Sequence, residues 1–190
     1  YLKGWIYKEV GDTALAVSSL RTAVEQDPGH YSAFIQLGLL HAGLHDELAV
    51  DYYRSALAIR PNSVEALYNL GMYLQEHGED SLAMVTYARI TEVDSLNALA
   101  PYNTGFIHLE HRQDPRTAIG WFTKATGLNT NYYQAWYNRG VAYERLERLD
   151  SAAADYQVAL LIRPDYDAAA EALQRVYANG AYVKAFDRDR

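Results

Sequence analysis

The chain has no cysteine in its 190 residues, which excludes disulfides, thiolate zinc sites and cysteine nucleophiles. Cations are also scarce: 17 Lys and Arg face 24 Asp and Glu, leaving a net charge of −7. A nucleic-acid binder needs a surplus of Lys and Arg to displace the counterions held by phosphates, so no nucleic-acid partner is expected. Anionic membrane surfaces are disfavoured for the same reason. No run of about 18 apolar residues occurs, so direct membrane insertion by this segment is not expected either. The first residues do not read as a basic-then-apolar signal segment. Tyrosine and apolar side chains are plentiful, at 17 Tyr and 49% apolar residues, ample for a folded core. The charge is uneven. Residues 1–95 hold 6 Lys/Arg against 13 Asp/Glu, whereas residues 96–190 hold 11 of each.

The tetrapeptides YNLG (68–71), YNTG (102–105) and YNRG (137–140) share a register. Their glycines extend backwards to Gly38 and Gly4, so that Gly4, Gly38, Gly71, Gly105 and Gly140 are separated by 34, 33, 34 and 35 residues. A near-constant period of this size marks a repeat architecture. Each glycine lies in an apolar-periodic segment, and about 12 residues later a second such segment carries Ala16, Ala49, Ala83, Ala118 or Ala152. Four residues beyond each alanine stands a bulky residue: Leu20, Tyr53, Tyr87, Phe122 or Tyr156. Three further on come Ala23, Ala56, Ile90, Ala125 and Ala159, completing one helical stripe. The spacing predicts two helices per repeat, A then B. Glycine inside a helix costs roughly 1 kcal/mol against alanine, and close packing of A on B explains why five are kept. Pro28, Pro61 and Pro164 stop three B helices, with Ser95 and Thr130 in the same place in the others.

This skeleton resembles the tetratricopeptide repeat (TPR) family. The resemblance implies an all-α fold, a right-handed superhelix of antiparallel helix pairs, over essentially the whole chain. The repeats fall at 1–30, 31–63, 64–97, 98–132 and 133–166 of a single solenoid, with a capping helix at 167–178 and a tail at 179–190. Helix A of the first repeat has only Tyr1 to about Val10, so the chain is expected to continue upstream of Tyr1. In the fourth repeat Pro101 predicts a helix A that begins a turn late, and one extra residue is assigned to the following turn, where Asp114-Pro115 reads as an N-cap and first helical residue.

The resemblance further implies that the residues three before, two before and one after each glycine line a concave surface. The candidate groove comprises Trp5, Gln36, Leu39, Tyr68, Asn69, Met72, Tyr102, Asn103, Phe106, Tyr137, Asn138 and Val141. An asparagine amide offers a donor and an acceptor, matching one residue of an extended peptide, and related superhelices use such a ladder on peptide backbones. The aromatic rows would then select apolar side chains. Two plainer readings stand beside this one: the asparagines as solvated family residues, and the tyrosines as packing between repeats. A carboxylate clamp for chaperone C-termini is not expected, because no Lys occupies the row of Tyr1 and Ile35 and no basic pair stands near Glu65 or Leu99.

His41/His45 and His108/His111 have helical spacing, yet His41 and His108 fall on the seam facing helix B and His45, His77 and His111 at turns. With helices about 8–10 Å apart, histidines one repeat apart are not expected to share a metal ion. No Ser-His-Asp set, phosphate loop or HExxH spacing occurs, so no enzyme activity and no cofactor are implied. The expected function is a protein-interaction module, an adaptor that holds an extended segment of a protein or peptide partner. The alternatives are a scaffold subunit docking through its convex face or ends, and the TPR part of a longer enzyme. The Tyr- and Asn-rich style resembles TPR proteins of Gram-negative envelopes, which implies a bacterial envelope or periplasmic protein with a lipid anchor upstream of Tyr1, against a cytoplasmic alternative. Self-association is not legible.

Overall fold

A computed structural model describes residues 1–180. Eleven α-helices and one π-helical segment account for most of them, and no strand occurs among the described residues. The chain divides into two compact units, Tyr1–Ser95 and Leu96–Arg190.

The first unit holds three A/B pairs: α1 (Leu2–Glu9) with α2 (Thr13–Gln26), α3 (Tyr31–Gly43) with α4 (Leu48–Ile59), and α5 (Val64–Glu76) with α6 (Asp80–Val93). The second holds α7 (Leu99–Phe106) and its π-helical continuation Ile107–His111 with α8 (Pro115–Leu128), α9 (Tyr133–Arg145) with α10 (Leu149–Ile162), and a last helix, α11 (Asp167–Ala178). Caps fix the starts. Asp12, Ser63 and Asp114 accept from the backbone N–H three residues on, and Pro115 occupies the first position of α8.

The predicted stripe forms the core of both units. Ala16, Ala49, Ala83, Ala118 and Ala152 are fully buried, as are Leu20, Tyr53, Tyr87, Phe122 and Tyr156. These large side chains press on the helix A glycines. A Cβ added at Gly38 would lie 2.4 Å from the Tyr53 ring, and one at Gly105 would lie 2.9 Å from Phe122. Only hydrogen fits in these crossings. At the last pair, Ala152, Ala153 and Tyr156 are covered by Ala172 and Val176 of α11, an apolar face that a solenoid end must shield.

The hydroxyls of the buried tyrosines are matched across the pair. Tyr87 donates to Gln75 (3.0 Å) and Tyr156 to Glu144 (2.6 Å), both four residues beyond the glycine. The same place opposite Phe122 is Leu109, fully buried. An acceptor thus stands opposite these two hydroxyls and an apolar side chain opposite the ring without one.

Two expectations for the fourth repeat need correction. Helix α7 does not begin a turn late: it starts at Leu99, where the Asn97 carboxamide oxygen accepts from Leu99 N and Ala100 N. Pro101 is its third residue, among the first N–H groups that have no partner in any helix, so its missing donor costs no bond. Nor does the extra residue lie in the turn. The A–B turns after α5, the π segment and α9 each take three residues, and a left-handed residue precedes the N-cap at Gly78, Gln113 and Glu147. The insertion instead widens helix A into the π segment 107–111, the usual way a helix absorbs one residue. The carbonyls this frees are all taken: Ile107 by Arg112 N, His108 by Asp114 N, Glu110 by Gln113 Nε2 and Leu109 by Arg145 Nη1.

Candidate functional site

The candidate groove residues sit on successive A helices, on a stripe turned away from the A/B seam. In the first unit Trp5 is 44% exposed, while Gln36, Leu39, Tyr68, Asn69 and Met72 are half-buried. Helices α3 and α5, which carry five of the six, touch one another. Lys8 of α1 donates to the Gln36 amide oxygen at 2.7 Å, so this rung has an acceptor already engaged and a cation beside it. No spacing rule pointed to Lys8, because it stands four residues past the glycine, in the row that elsewhere faces helix B.

In the second unit the Tyr-Asn pair becomes a lateral link. Asn138 of α9 donates through Nδ2 to the Tyr102 hydroxyl of α7, at 3.0 Å. The Tyr102 ring packs on Phe122 and Tyr132, with centroids 5.9 and 4.7 Å apart, and Tyr137 packs on Tyr156 and Tyr166 at 5.6 and 5.1 Å. These tyrosines therefore serve the packing of repeat on repeat, with one edge still half-open. Burial pushes the Tyr137 phenol above its ordinary value, with smaller effects from Arg175 and nearby carboxylates. Phe106 meets His111 edge-on at 6.1 Å, and Val141 packs against buried residues of both helix pairs. Asn103 departs most from the expected row: it is 5% exposed, and its amide nitrogen has no partner.

Several residues that shape these faces were missed or only half seen. Arg139, beside Gly140, forms a two-pronged pair with Asp155 of α10 at 2.7 and 2.8 Å, deep in the seam. Burial pushes the Asp155 carboxyl up, and Arg139 pulls it part of the way back. Arg145 grips both Glu110 oxygens (2.6 and 2.8 Å) while holding the Leu109 carbonyl. In each unit a cation closing a B helix lies over the first tyrosine of the paired A helix: Arg60 over Tyr31 at 4.2 Å and Arg163 over Tyr133 at 5.0 Å. The histidines also differ from expectation. His45 and His77, one repeat apart, bring their rings to 5.8 Å, closer than the helix spacing suggested, because both lie at turns. Among the described residues no three His, Asp or Glu side chains are grouped to hold a metal ion.

Five A/B pairs with a small residue at each crossing and a covering helix define a helical-repeat protein. Family models described as tetratricopeptide repeat match residues 1–64, 52–84 and 133–166, together more than half of the sequence, and the chain belongs to that family. Its sequence is 27% identical over 143 residues to "BBSome complex member bbs-4" of Caenorhabditis elegans, a match covering 74% of this chain and 30% of that protein. The chain spans between 11% and 51% of the length of the curated relatives it matches. Among solved structures it is similar to YrrB, described as "a TPR protein with an unusual peptide-binding site" (TM-score 0.70, 22% identity, covering 90% of this chain and 88% of that one). It is also similar to the second TPR domain of human RPAP3, solved in complex with the HSP70 peptide SGPTIEEVD (TM-score 0.55, 28% identity, 58% and 92% covered).

Proposed function

We propose that this chain is a protein-interaction module that holds an extended segment of a partner protein on the A-helix stripe. The supporting observation is a contrast within each A helix. The glycine row is closed by the B-helix side chains, whereas the neighbouring row, Asn103 apart, stays partly open although it is rich in Trp, Tyr, Met and Phe. Packing alone does not require a 44%-exposed tryptophan at position 5; a large rigid aromatic with a wet edge is what an interface uses. The peptide complex of the similar RPAP3 domain supports the same use of the fold.

The ligand class differs from the acidic peptide bound to RPAP3. The first unit carries 13 acidic against 6 basic residues, and of its cations only Lys8 is bonded to a groove residue, Gln36, among the described contacts. An uncharged or basic segment with apolar side chains fits better, its backbone taken by Asn69 in the first unit or by Asn138 in the second. The role is binding, with no catalytic group assigned.

Peptides selected by display against the wild-type chain test this reading. The triple variant Asn69→Ala, Asn103→Ala, Asn138→Ala removes the two accessible amides, Asn69 and Asn138, and with them up to four backbone hydrogen bonds of about 0.5–1.5 kcal/mol each. Selected peptides should lose at least tenfold in affinity, as they should with Tyr102→Ala plus Phe106→Ala, while Lys124→Glu leaves binding intact. Full retention by the triple variant, with loss in Lys124→Glu, would transfer the function to the outer face.

A further inference from the structure

A cavity of about 750 Å³ opens in the first unit, where the start of α4, the end of α5 and the start of α6 meet. That volume lies within the range of small-ligand sites, about 300–1,000 Å³. Its charge is one-sided. Asp46, Glu47, Asp51 and Glu79 line it, against one arginine, Arg54, which reaches only to 3.9 Å of Asp51 from an exposed position. Asp46 is held as a charged group: its oxygens accept from Leu48 N and meet His41 Nδ1 at 2.8 Å, and these bonds keep its carboxyl below the usual value.

Tyr73 supplies an independent observation. It lines the same cavity, is only 4% exposed, and its hydroxyl has no hydrogen-bond partner. Burial raises its phenol first, and Glu47 and Asp46 raise it further. The ring is fixed there by stacking on His77 at 4.0 Å, and the His77 Nδ1 is bonded to the Tyr73 carbonyl at 2.8 Å. A buried hydroxyl without a partner normally costs about 1–3 kcal/mol, so this cavity-lining tyrosine gains by meeting a donor. Leu48 and Leu82, each about half-exposed, add apolar surface to the lining.

We propose that this cavity is a second binding site, which takes an arginine side chain, with an apolar neighbour, from an extended segment of a partner protein. A guanidinium presents five donors in a planar fork, enough to serve the Tyr73 oxygen and two carboxylates at once. The half-exposed leucines receive the stem and the neighbouring apolar residue. The site lies at the A–B turns of the second and third repeats and uses none of the asparagine ladder, so its failure leaves the ladder reading standing.

The test is amide chemical-shift mapping of the full chain with the acetylated, amidated peptide Gly-Leu-Arg-Leu-Arg-Gly and its analogue with glutamate in place of arginine. The arginine peptide should shift amides within 46–51, 73–79 and at Leu82, and the glutamate peptide should not. Tyr73→Phe should leave Tm unchanged or raised and weaken the arginine peptide about tenfold, as loss of one hydrogen bond to a charged group does. Glu47→Gln with Glu79→Gln should abolish the localised shifts. The proposal is overturned if shifts scatter over the acidic surface and vanish at high salt, if Tyr73→Phe binds as wild type, or if Tyr73→Phe lowers Tm, since the hydroxyl would then have a partner inside the fold.

Discussion

The two units share one apolar skeleton and use charge in opposite ways. In the second, acidic and basic residues are equal in number, and three arginines are paired between its helices: Arg139 with Asp155, Arg145 with Glu110 and the π segment, Arg175 with Glu144. In the first, the positions that match Arg139 and Asp155 hold Lys3 with Ser19, Leu37 with Tyr52 and Leu70 with Thr86, so no pair of opposite charges stands there. Its surplus carboxylates are left at the surface, and four of them gather at one cavity. The same architecture therefore tolerates an ion pair or a leucine at one crossing. What differs is which unit has charge available for a partner.

The largest expected effect breaks that comparison at the seam. Asp155→Ala leaves Arg139 buried without its carboxylate and should cost about 3–5 kcal/mol of stability. Replacing both, Arg139→Leu with Asp155→Thr, copies the pair found in the third repeat and should be neutral or stabilising by the same reasoning. Urea midpoints of the two variants check this; a double variant as unstable as the single would show that the salt bridge itself supports the fold.

Next in size are substitutions at the shared skeleton, where the units should behave alike. Gly71→Leu and Gly140→Leu each drive a side chain into a buried tyrosine ring that is tethered by its hydroxyl, with Cβ positions 2.5 and 2.6 Å from the ring. Each should cost about 1–3 kcal/mol through overpacking. Phe122→Tyr should cost a comparable about 1–3 kcal/mol, because its hydroxyl would be buried against Leu109 with no acceptor. Adding Leu109→Gln, the residue type that meets Tyr87, should recover most of the loss. Thermal melts that show no recovery would mean that the π segment, not the missing acceptor, governs this site.

The smallest effect is one of pH. The Arg175 guanidinium, with help from the Tyr156 hydroxyl and against burial, holds the Glu144 carboxyl below its usual 4.5. A depressed carboxylate contributes stability that is present above 4.5 and is lost as pH falls through its folded value. Glu144→Gln turns this position into its counterpart Gln75. The variant should be slightly less stable at neutral pH, by under about 1 kcal/mol for a partly exposed pair, and equal to wild type in acid. A difference that persists unchanged into acid would assign the effect to shape.

The helix pairs were legible because backbone approach at a crossing leaves room only for hydrogen, and the bulky residue 16 or so positions on records what fills the space. The placement of the extra residue in the fourth repeat was not legible. A one-residue insertion between Gly105 and Asp114 satisfies the same spacing whether it widens the helix or lengthens the turn, and the choice rests on Arg145, 36 residues from Leu109, taking a freed carbonyl. The site was read in part. Row positions of Asn69, Asn103 and Asn138 follow from the period, but the period treats them as equal. Burial makes Asn103 different, and the bond to Tyr102 makes Asn138 different. Tyr73 was hidden for another reason: it lies two residues past Gly71, a row to which no role was assigned.

The most direct test of the central claim is amide chemical-shift mapping of the chain with a peptide selected by display. On this account the largest shifts fall on the A-helix stripe, at Trp5, Tyr68, Asn69, Met72, Tyr102 and Asn138, and the side-chain amide signals of the asparagines move with them. Shifts confined to the B helices, with the asparagine amides unmoved, would contradict it.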